Sequence, residues 1–121
     1  MLATLIYTAT LLATVDGDTF KARVEVWPGI DVVTSVRIEG IDTPEINGKC
    51  TQEKVAAQAA KQRLSGLLQS GKITVRNISL DKYSGRVDAF VEVNGQDVAA
   101  IMVGEGFARQ YTGGSRGGWC Q

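Results

Sequence analysis

The sequence predicts one domain that is mainly β with two helices, of the α+β class. Three observations support this prediction: runs of alternating apolar and polar residues, one long stretch with apolar residues at helical spacing, and turn signals between them. The chain has 121 residues, of which 44% are hydrophobic and 21% charged. That length and composition suit a globular domain with a single buried core.

Three strands open the chain. β-branched and aromatic residues from Thr4 to Thr14 predict the first strand, which Asp16-Gly17 ends as a turn. Alternation from Phe20 to Trp27 predicts a half-buried second strand. Pro28-Gly29 is the next turn, and residues Val32 to Glu39 form the third strand, so the three strands are expected to make an antiparallel meander.

A long helix is expected next, from an N-cap at Thr51 to about Leu68. Its expected apolar face is Val55, Ala56, Ala59, Ala60, Leu64, Leu67 and Leu68. Ile73 to Ile78 and Val87 to Val93 are the fourth and fifth strands, and Asp97 to Val103 is a short second helix. Five strands with a helix between the third and the fourth are compatible with several α+β layouts.

Charge is unevenly distributed although the net charge is zero. Residues 1–45 hold three basic and seven acidic groups, residues 46–90 hold eight and three, and residues 91–121 hold two and three. Zero net charge argues against tight nonspecific binding to DNA, which needs many cationic contacts. It is compatible with an enzyme that must release its product.

The absence of histidine excludes several kinds of chemistry. Ser-His-Asp catalysis and imidazole zinc sites are ruled out, and a general base must be a group such as Asp, Glu, Lys or Tyr. Two cysteines cannot build a four-thiolate zinc site. A bound metal would therefore be a hard cation with oxygen ligands. No apolar run approaches the roughly 18 residues of a membrane span.

Three short motifs combine carboxylates with arginines. The first is the turn Asp16-Gly17-Asp18-Thr19. The second is Arg37 followed by Asp42-Thr43-Pro44-Glu45, in which Pro44 ends a strand because it has no N–H. The third is the loop from Asp81 to Arg86. Taken singly, such residues are more typical of turns, solvated cross-strand partners and exposed loops.

In this order the motifs resemble the staphylococcal nuclease (thermonuclease-like) family, whose signatures are D-G-D-T, R-x-x-x-x-D-T-P-E and D-x-Y-G-R. The third motif carries one extra residue here, Ser84. The resemblance runs from about residue 4 to residue 111. It implies a five-stranded OB-fold barrel in residues 1–111. Residues 112–121 are then a glycine-rich C-terminal tail.

The resemblance also implies an active site and a cofactor. The implied calcium ligands are Asp18, Asp42 and the Thr43 carbonyl, and the implied catalytic residues are Arg37, Glu45 and Arg86. Glu45 would be the general base, and the two guanidiniums would hold the scissile phosphate, because a planar fork suits bidentate contact. Asp16 is assigned to turn geometry alone.

Substrate contacts are implied at Lys82 and Tyr83 for a neighbouring phosphate, and at Tyr111 for stacking on a base. The Ser84 insertion shifts the first two by an amount that the sequence does not define. The implied substrates are DNA and RNA, preferably single-stranded, cut to leave 3′-phosphates by a monomeric enzyme. Two other interpretations stay open: a non-catalytic OB-fold module that binds nucleic acid or protein, and an interaction domain of a mobile element or secretion apparatus.

Cys50 and Cys120 are the only cysteines. Neither lies in an apolar run, which favours a disulfide over two free buried thiols. Such a bond would anchor the tail, with Trp119 as an apolar plug, and would indicate an oxidising compartment. We therefore expect an exported protein, periplasmic or secreted, whose signal peptide does not form part of this sequence.

Overall fold

The structure is a computed structural model that describes residues 5–114 and 117–120. Within these residues the elements follow in the order β1 (Ile6–Asp16), β2 (Thr19–Trp27), β3 (Ile30–Ile38), β4 (Ile41–Asp42), α1 (Thr51–Gln69), β5 (Ile73–Leu80), β6 (Arg86–Val93), β7 (Gln96–Asp97), α2 (Val98–Gly104) and β8 (Arg109–Gln110). The predicted strands and both predicted helices are present, and three two-residue strands are added.

A closed five-stranded barrel is the centre of the fold. The strands pair in the order β3-β2-β1-β5-β6, and a parallel β3–β6 pairing closes the circle. Every other barrel pairing is antiparallel, and the first three strands form the expected meander. Helix α1 lies between the third and fourth barrel strands along the chain. The α+β class and the OB-fold barrel are thus confirmed.

The core lies inside the barrel and under α1. Phe20, Val36, Ile38 and Val75 are fully buried strand residues. The helix contributes its own buried positions, which are Glu53, Ala57, Ala60, Leu64, Leu67 and Leu68. Three details of the predicted helix are wrong, and one of them is Ala59, which is exposed although it was placed on the apolar face. Val55 is 63% exposed, and Cys50 rather than Thr51 is the N-cap residue.

Two short strands join the C-terminal part of the chain to the segment that follows β3. Strand β4 pairs with β8, so that Asp42 lies opposite Arg109. Strand β8 follows α2 and contains two residues. No helix in residues 5–114 and 117–120 is both long and apolar enough to cross a membrane.

Candidate active site

The β1–β2 turn presents Asp18 from a close-packed corner. The backbone N–H of Asp18 donates to Asp16 Oδ1 at 3.1 Å, and the Thr19 hydroxyl donates to Asp18 Oδ1 at 2.9 Å. A Cβ on Gly17 would approach Ala60 Cβ to 2.7 Å. Glycine therefore lets the turn pack against α1, and Asp16 braces the turn as predicted.

Arg37 lies near the end of β3, directly opposite Thr19 of β2. Its guanidinium is 3.6 Å from Asp18 Oδ2 and donates to the Ile41 carbonyl at 3.1 Å and the Ile38 carbonyl at 3.3 Å. This pairing of β2 with β3 brings Arg37 beside the Asp18 carboxylate.

Closure of the barrel brings Arg86 to the same place. In the parallel β3–β6 pair, Ser35 lies opposite Arg86 and Arg37 lies opposite Asp88. Nε and Nη2 of Arg86 both lie 2.9 Å from Asp81 Oδ2. The two arginines that the motifs single out, distant in sequence, are therefore neighbours in the fold.

These residues surround one cleft of about 510 Å³. The predicted site residues that line it are Asp18, Arg37, Thr43, Glu45, Lys82, Tyr83, Arg86 and Tyr111. The structure therefore brings together eight of the nine residues predicted for metal, catalysis and substrate. The ninth, Asp42, lies next to the cleft in β4 and is 1% exposed.

Asp42 contacts an arginine that the motifs do not include. Its Oδ2 atom lies 3.4 Å from Arg109 Nη2. The neighbouring Glu45 is exposed, and its backbone N–H donates to Glu53 Oε2 at 3.0 Å. Glu53 is buried and also accepts from the Lys49 N–H at 3.1 Å. One helix residue thus fixes the loop that carries Glu45.

Aromatic rings occupy both sides of the cleft. The Tyr111 ring centroid is 5.9 Å from the Arg37 guanidinium, and the Tyr111 hydroxyl donates to the Gly114 carbonyl at 2.8 Å. The Tyr83 ring is 59% exposed and lies near both Lys82 and Arg86. The loop of residues 81–85 contains the extra residue Ser84, and Lys82, Tyr83 and Arg86 nevertheless all line the cleft.

Burial and neighbouring carboxylates raise the pKa of two acidic groups at the cleft. Burial, together with the nearby carboxylates of Asp18 and Glu45, raises the pKa of Asp16 to about 7. Burial and a hydrogen bond with Asp81 raise the pKa of Asp88 to about 6. Burial alone would raise the pKa of Asp81, but hydrogen bonds with Asp88, Tyr83 and Arg86 lower it to about 2.

The residues present fit a hard divalent cation. Asp18 is 7% exposed, Thr43 is 2% exposed, and both face a cleft that also holds the Asp16 and Glu45 carboxylates. Burial raises the pKa of Asp16 most, and the neighbouring Asp18 and Glu45 carboxylates raise it further, so several carboxylates lie close together here. Carboxylate and carbonyl oxygens are the ligands that Ca²⁺ prefers.

The two cysteines lie beside this site. Cys50 and Cys120 are joined in the structure, with Cα atoms 6.1 Å apart and a sequence separation of 70. Cys50 caps α1, so the join places Trp119 and Cys120 at the start of that helix. Trp119 is half-buried, and its ring centroid is 3.8 Å from the Arg109 guanidinium. The predicted plug is therefore a cation–π contact.

Several residues of the site were not predicted. Asp81 forms an ion pair with Arg86. Asp88 lies opposite Arg37, and this position follows from the β3–β6 register and not from any motif. Glu53 stands three residues after the cap, a spacing typical of capping boxes, and could have been found from that signal. Arg109 carried no local signal, since its partner Asp42 is 67 positions away.

A closed OB-fold barrel with carboxylates and paired arginines in one cleft defines the class of staphylococcal-nuclease-like proteins. The sequence profile described as staphylococcal nuclease homologue matches residues 35–117. The chain is also 35% identical over 103 residues to the SPbeta prophage-derived endonuclease YokF of Bacillus subtilis (strain 168). This protein belongs to the staphylococcal nuclease homologue family. The match covers 83% of the chain and about a third, 33%, of that relative.

Proposed function

We propose that this protein is a calcium-dependent endonuclease that hydrolyses phosphodiester bonds of DNA and RNA and leaves 3′-phosphates. The observation that carries the proposal is the convergence of Arg37 and Arg86 in the cleft that also holds Asp18 and Glu45. A phosphodiester is an anion whose charge must be neutralised before water can attack it. Membership of a nuclease family and similarity to an endonuclease support the same reaction class.

The chain's own groups suit each part of this reaction. Arg37 and Arg86 would hold the scissile phosphate through fork-shaped contacts. The Glu45 carboxylate, exposed on a braced loop, would accept a proton from a water as its oxygen attacks phosphorus. The P–O5′ bond breaks, the 5′-oxygen leaves and is protonated, and the phosphate remains on the 3′-oxygen.

Asp18, Asp42 and the Thr43 carbonyl would hold the ion. When bound, Ca²⁺ supplies positive charge to the phosphate oxygens and helps to place the water. Lys82, Tyr83 and Tyr111 line the cleft. The first two would contact a neighbouring phosphate, and the Tyr111 ring would stack on an unpaired base. An open cleft with such a ring favours single-stranded over double-stranded substrate. We propose a monomeric enzyme, because one chain contains the whole cleft.

Digestion of heat-denatured DNA and of RNA with calcium, and then with excess chelator, tests the proposal. We expect cleavage with calcium, none with chelator, and 3′-phosphate ends. Glu45→Gln and Arg37→Ala should each lower kcat by roughly 10²–10³-fold. Glu25→Gln, on the exposed face of β2, is the matched control and should cleave like wild type. Chelator-independent cleavage, or unchanged rates in both active-site variants, would contradict the proposal.

The alternative function is a module that binds nucleic acid without cutting it. The same samples distinguish the two functions, because a binding module would retain single strands on a filter and leave their length unchanged. Every carboxylate and arginine of the family motifs is present in this chain. This completeness favours catalysis.

We also propose that the Cys50–Cys120 disulfide is present in the working protein, which then acts in an oxidising compartment after export. The juxtaposition of the two sulfurs supports this proposal. Thiol titration of the unfolded protein, purified from its natural host with alkylating agent present, is the test. We expect no free thiol before reduction and two after it. Two free thiols at the outset would contradict both the bond and the compartment.

A further inference from the structure

One guanidinium outside the family motifs contacts a proposed calcium ligand. Strand β8 pairs with β4 so that Arg109 lies directly opposite Asp42. Arg109 Nη2 is 3.4 Å from Asp42 Oδ2, and the side chains are 39% and 1% exposed, respectively. The partly solvated arginine therefore covers a buried carboxylate from the outer side.

The C-terminal segment Gly117–Cys120 holds this arginine in place. The Gly117 carbonyl accepts a hydrogen bond from Arg109 Nη2, and the Gly118 carbonyl accepts one from Nη1 at 3.2 Å. The Trp119 ring stacks on the same guanidinium at 3.8 Å. A Cβ on Gly117 would lie 3.4 Å from the guanidinium nitrogens, so the segment passes close over Arg109. Two carbonyls and a ring together restrict the rotamer of a long side chain.

The segment is in turn attached to the start of α1. Cys120 is joined to Cys50, the N-cap residue of that helix. Arg109 is thus held between Asp42 on one side and a segment that the Cys50–Cys120 bond attaches to the start of α1.

We propose that Arg109 is a tethered counter-ion of Asp42, against which a divalent cation must compete, and that the Cys50–Cys120 bond sets the strength of this competition. The inference rests on the proposed function, since it takes Asp42 as a calcium ligand. A positive charge beside a ligand carboxylate lowers the affinity of that carboxylate for a second cation, and low exposure strengthens the effect. Reduction of the bond frees the segment, loosens Arg109 and increases calcium affinity.

Calorimetric titration of the metal-free protein with CaCl2 tests the charge competition. Arg109→Gln removes the charge and keeps a hydrogen-bond donor, so the Kd for Ca²⁺ should fall by roughly tenfold or more. Arg109→Lys keeps the charge and should bind calcium within about twofold of wild type, a rescue that a purely structural role would not give. An unchanged or higher Kd in Arg109→Gln would overturn the inference.

The tether is tested in the same titration with and without reducing agent. Reduction should tighten calcium binding in wild type and should change nothing in Arg109→Gln, because the effect acts through that side chain. Equal tightening in both proteins would overturn the role of the tether. Should Arg109→Gln not fold, Trp119→Ala serves instead and should tighten binding by a smaller factor; an unchanged Kd there would count against the inference.

The titration also separates this inference from the proposed function. Asp18→Asn should abolish calcium binding in every background. Calcium binding that is equal in wild type and Arg109→Gln, and lost in Asp18→Asn, would overturn only the counter-ion. Absence of calcium binding in wild type and Arg109→Gln alike would overturn the proposed metal site together with the counter-ion.

Discussion

At the scale of residues, the site is a set of carboxylate–guanidinium pairs. Arg37 is paired with Asp18, and Arg86 with Asp81, which is 5% exposed. Each arginine that we propose to bind phosphate is thus pre-positioned by an acidic partner. In the proposed reaction a substrate phosphate would meet an Arg86 guanidinium whose orientation is already restricted, which lowers the entropy lost on binding.

Arg86 offers a direct test of fork geometry. Arg86→Ala should lower kcat by roughly 10²–10³-fold, because it removes positive charge where negative charge develops. Arg86→Lys restores the charge without the planar fork and should recover only part of the loss. Steady-state kinetics on a short single-stranded oligonucleotide provide the measurement. Full activity in the lysine variant would show that charge alone is sufficient.

Asp88 makes stability depend on pH. Its pKa of about 6 in the fold lies above the ordinary value of 3.8. The folded state therefore binds more protons than the unfolded state between these values, and the free energy of unfolding falls as pH rises through this window. Asp88→Asn mimics the protonated carboxyl. Allowing for solvent screening, the free energy of unfolding of Asp88→Asn should exceed that of wild type by about 1 kcal/mol at pH 7 and match it near pH 4.

Urea unfolding of the calcium-free protein at both pH values measures this difference. The exposed Asp31→Asn, which removes the same charge from β3, is the control and should show no such pH-dependent gain. A lower stability of Asp88→Asn at pH 7 would contradict the assignment.

Local signals explain which site residues the sequence could reveal. Asp18, Arg37, Glu45 and Arg86 stand in short motifs with fixed spacing, so family resemblance was sufficient to find them. Arg109 pairs with a residue 67 positions away, and its other contacts come from the chain end. Such contacts depend on the folded path of the tail, which no periodicity encodes.

At the scale of elements, barrel closure assembles the site. In the parallel β3–β6 pair, Arg37 lies opposite Asp88. Arg86 stands at the start of β6 and donates a hydrogen bond to Asp81, at the other end of the preceding loop. The β1–β2 turn is held against α1 through Gly17, and α1 in turn fixes the Glu45 loop through Glu53. The position of Glu45, the proposed general base, therefore depends on the packing of the helix.

At Gly17 the β1–β2 turn lies close against α1. Gly17→Ala would place a Cβ 2.7 Å from Ala60 Cβ and 3.0 Å from Thr43. We expect a loss of roughly 1–3 kcal/mol and weaker calcium binding, because the turn that carries Asp18 must move. Thermal unfolding and calcium titration measure the two effects.

Gly66→Ala is the matched control for that substitution. Gly66 lies within α1, and a Cβ there would meet no atom within 4 Å. The change should stabilise the protein by roughly 0.5–1 kcal/mol, since alanine is the better helix former. If Gly17→Ala were as stable as Gly66→Ala, the packing argument for the turn would be wrong.

Element types were more predictable than element faces. Alternation located the barrel strands because one face of each is buried. The helix face was partly misassigned, since Val55 is exposed while the charged Glu53 is buried to accept loop N–H groups. Glu53 is buried although it is charged, because its hydrogen-bond partners lie in another segment of the chain. Strands β4 and β8 are too short to carry any period.

At the scale of the whole molecule, the proposed Cys50–Cys120 disulfide attaches the C-terminal segment to the start of α1. The Cys50–Cys120 separation of 70 residues closes a long loop, which in the chain-entropy model stabilises the fold by roughly 3–4 kcal/mol. Reducing agent should therefore lower the denaturant midpoint of wild type. It should leave the Cys50→Ser, Cys120→Ser double variant unchanged. Equal midpoints with and without reductant in wild type would contradict the stabilising role.

The chain corresponds to a third of the Bacillus relative's length, and within that third it carries the complete set of family motif residues. A single small barrel therefore contains every group that the proposed reaction uses. The acidic first part of the chain supplies the proposed ion ligands, and the basic middle supplies Arg86 and Lys82. The cleft brings groups from both parts together.

A crystal structure with Ca²⁺ and thymidine 3′,5′-bisphosphate tests this claim most directly. We predict one ion held by Asp18, Asp42 and the Thr43 carbonyl, and one phosphate held by Arg37 and Arg86 with a water between it and Glu45. A nucleotide bound outside the cleft, or a phosphate in the cleft that neither arginine contacts, would contradict the account.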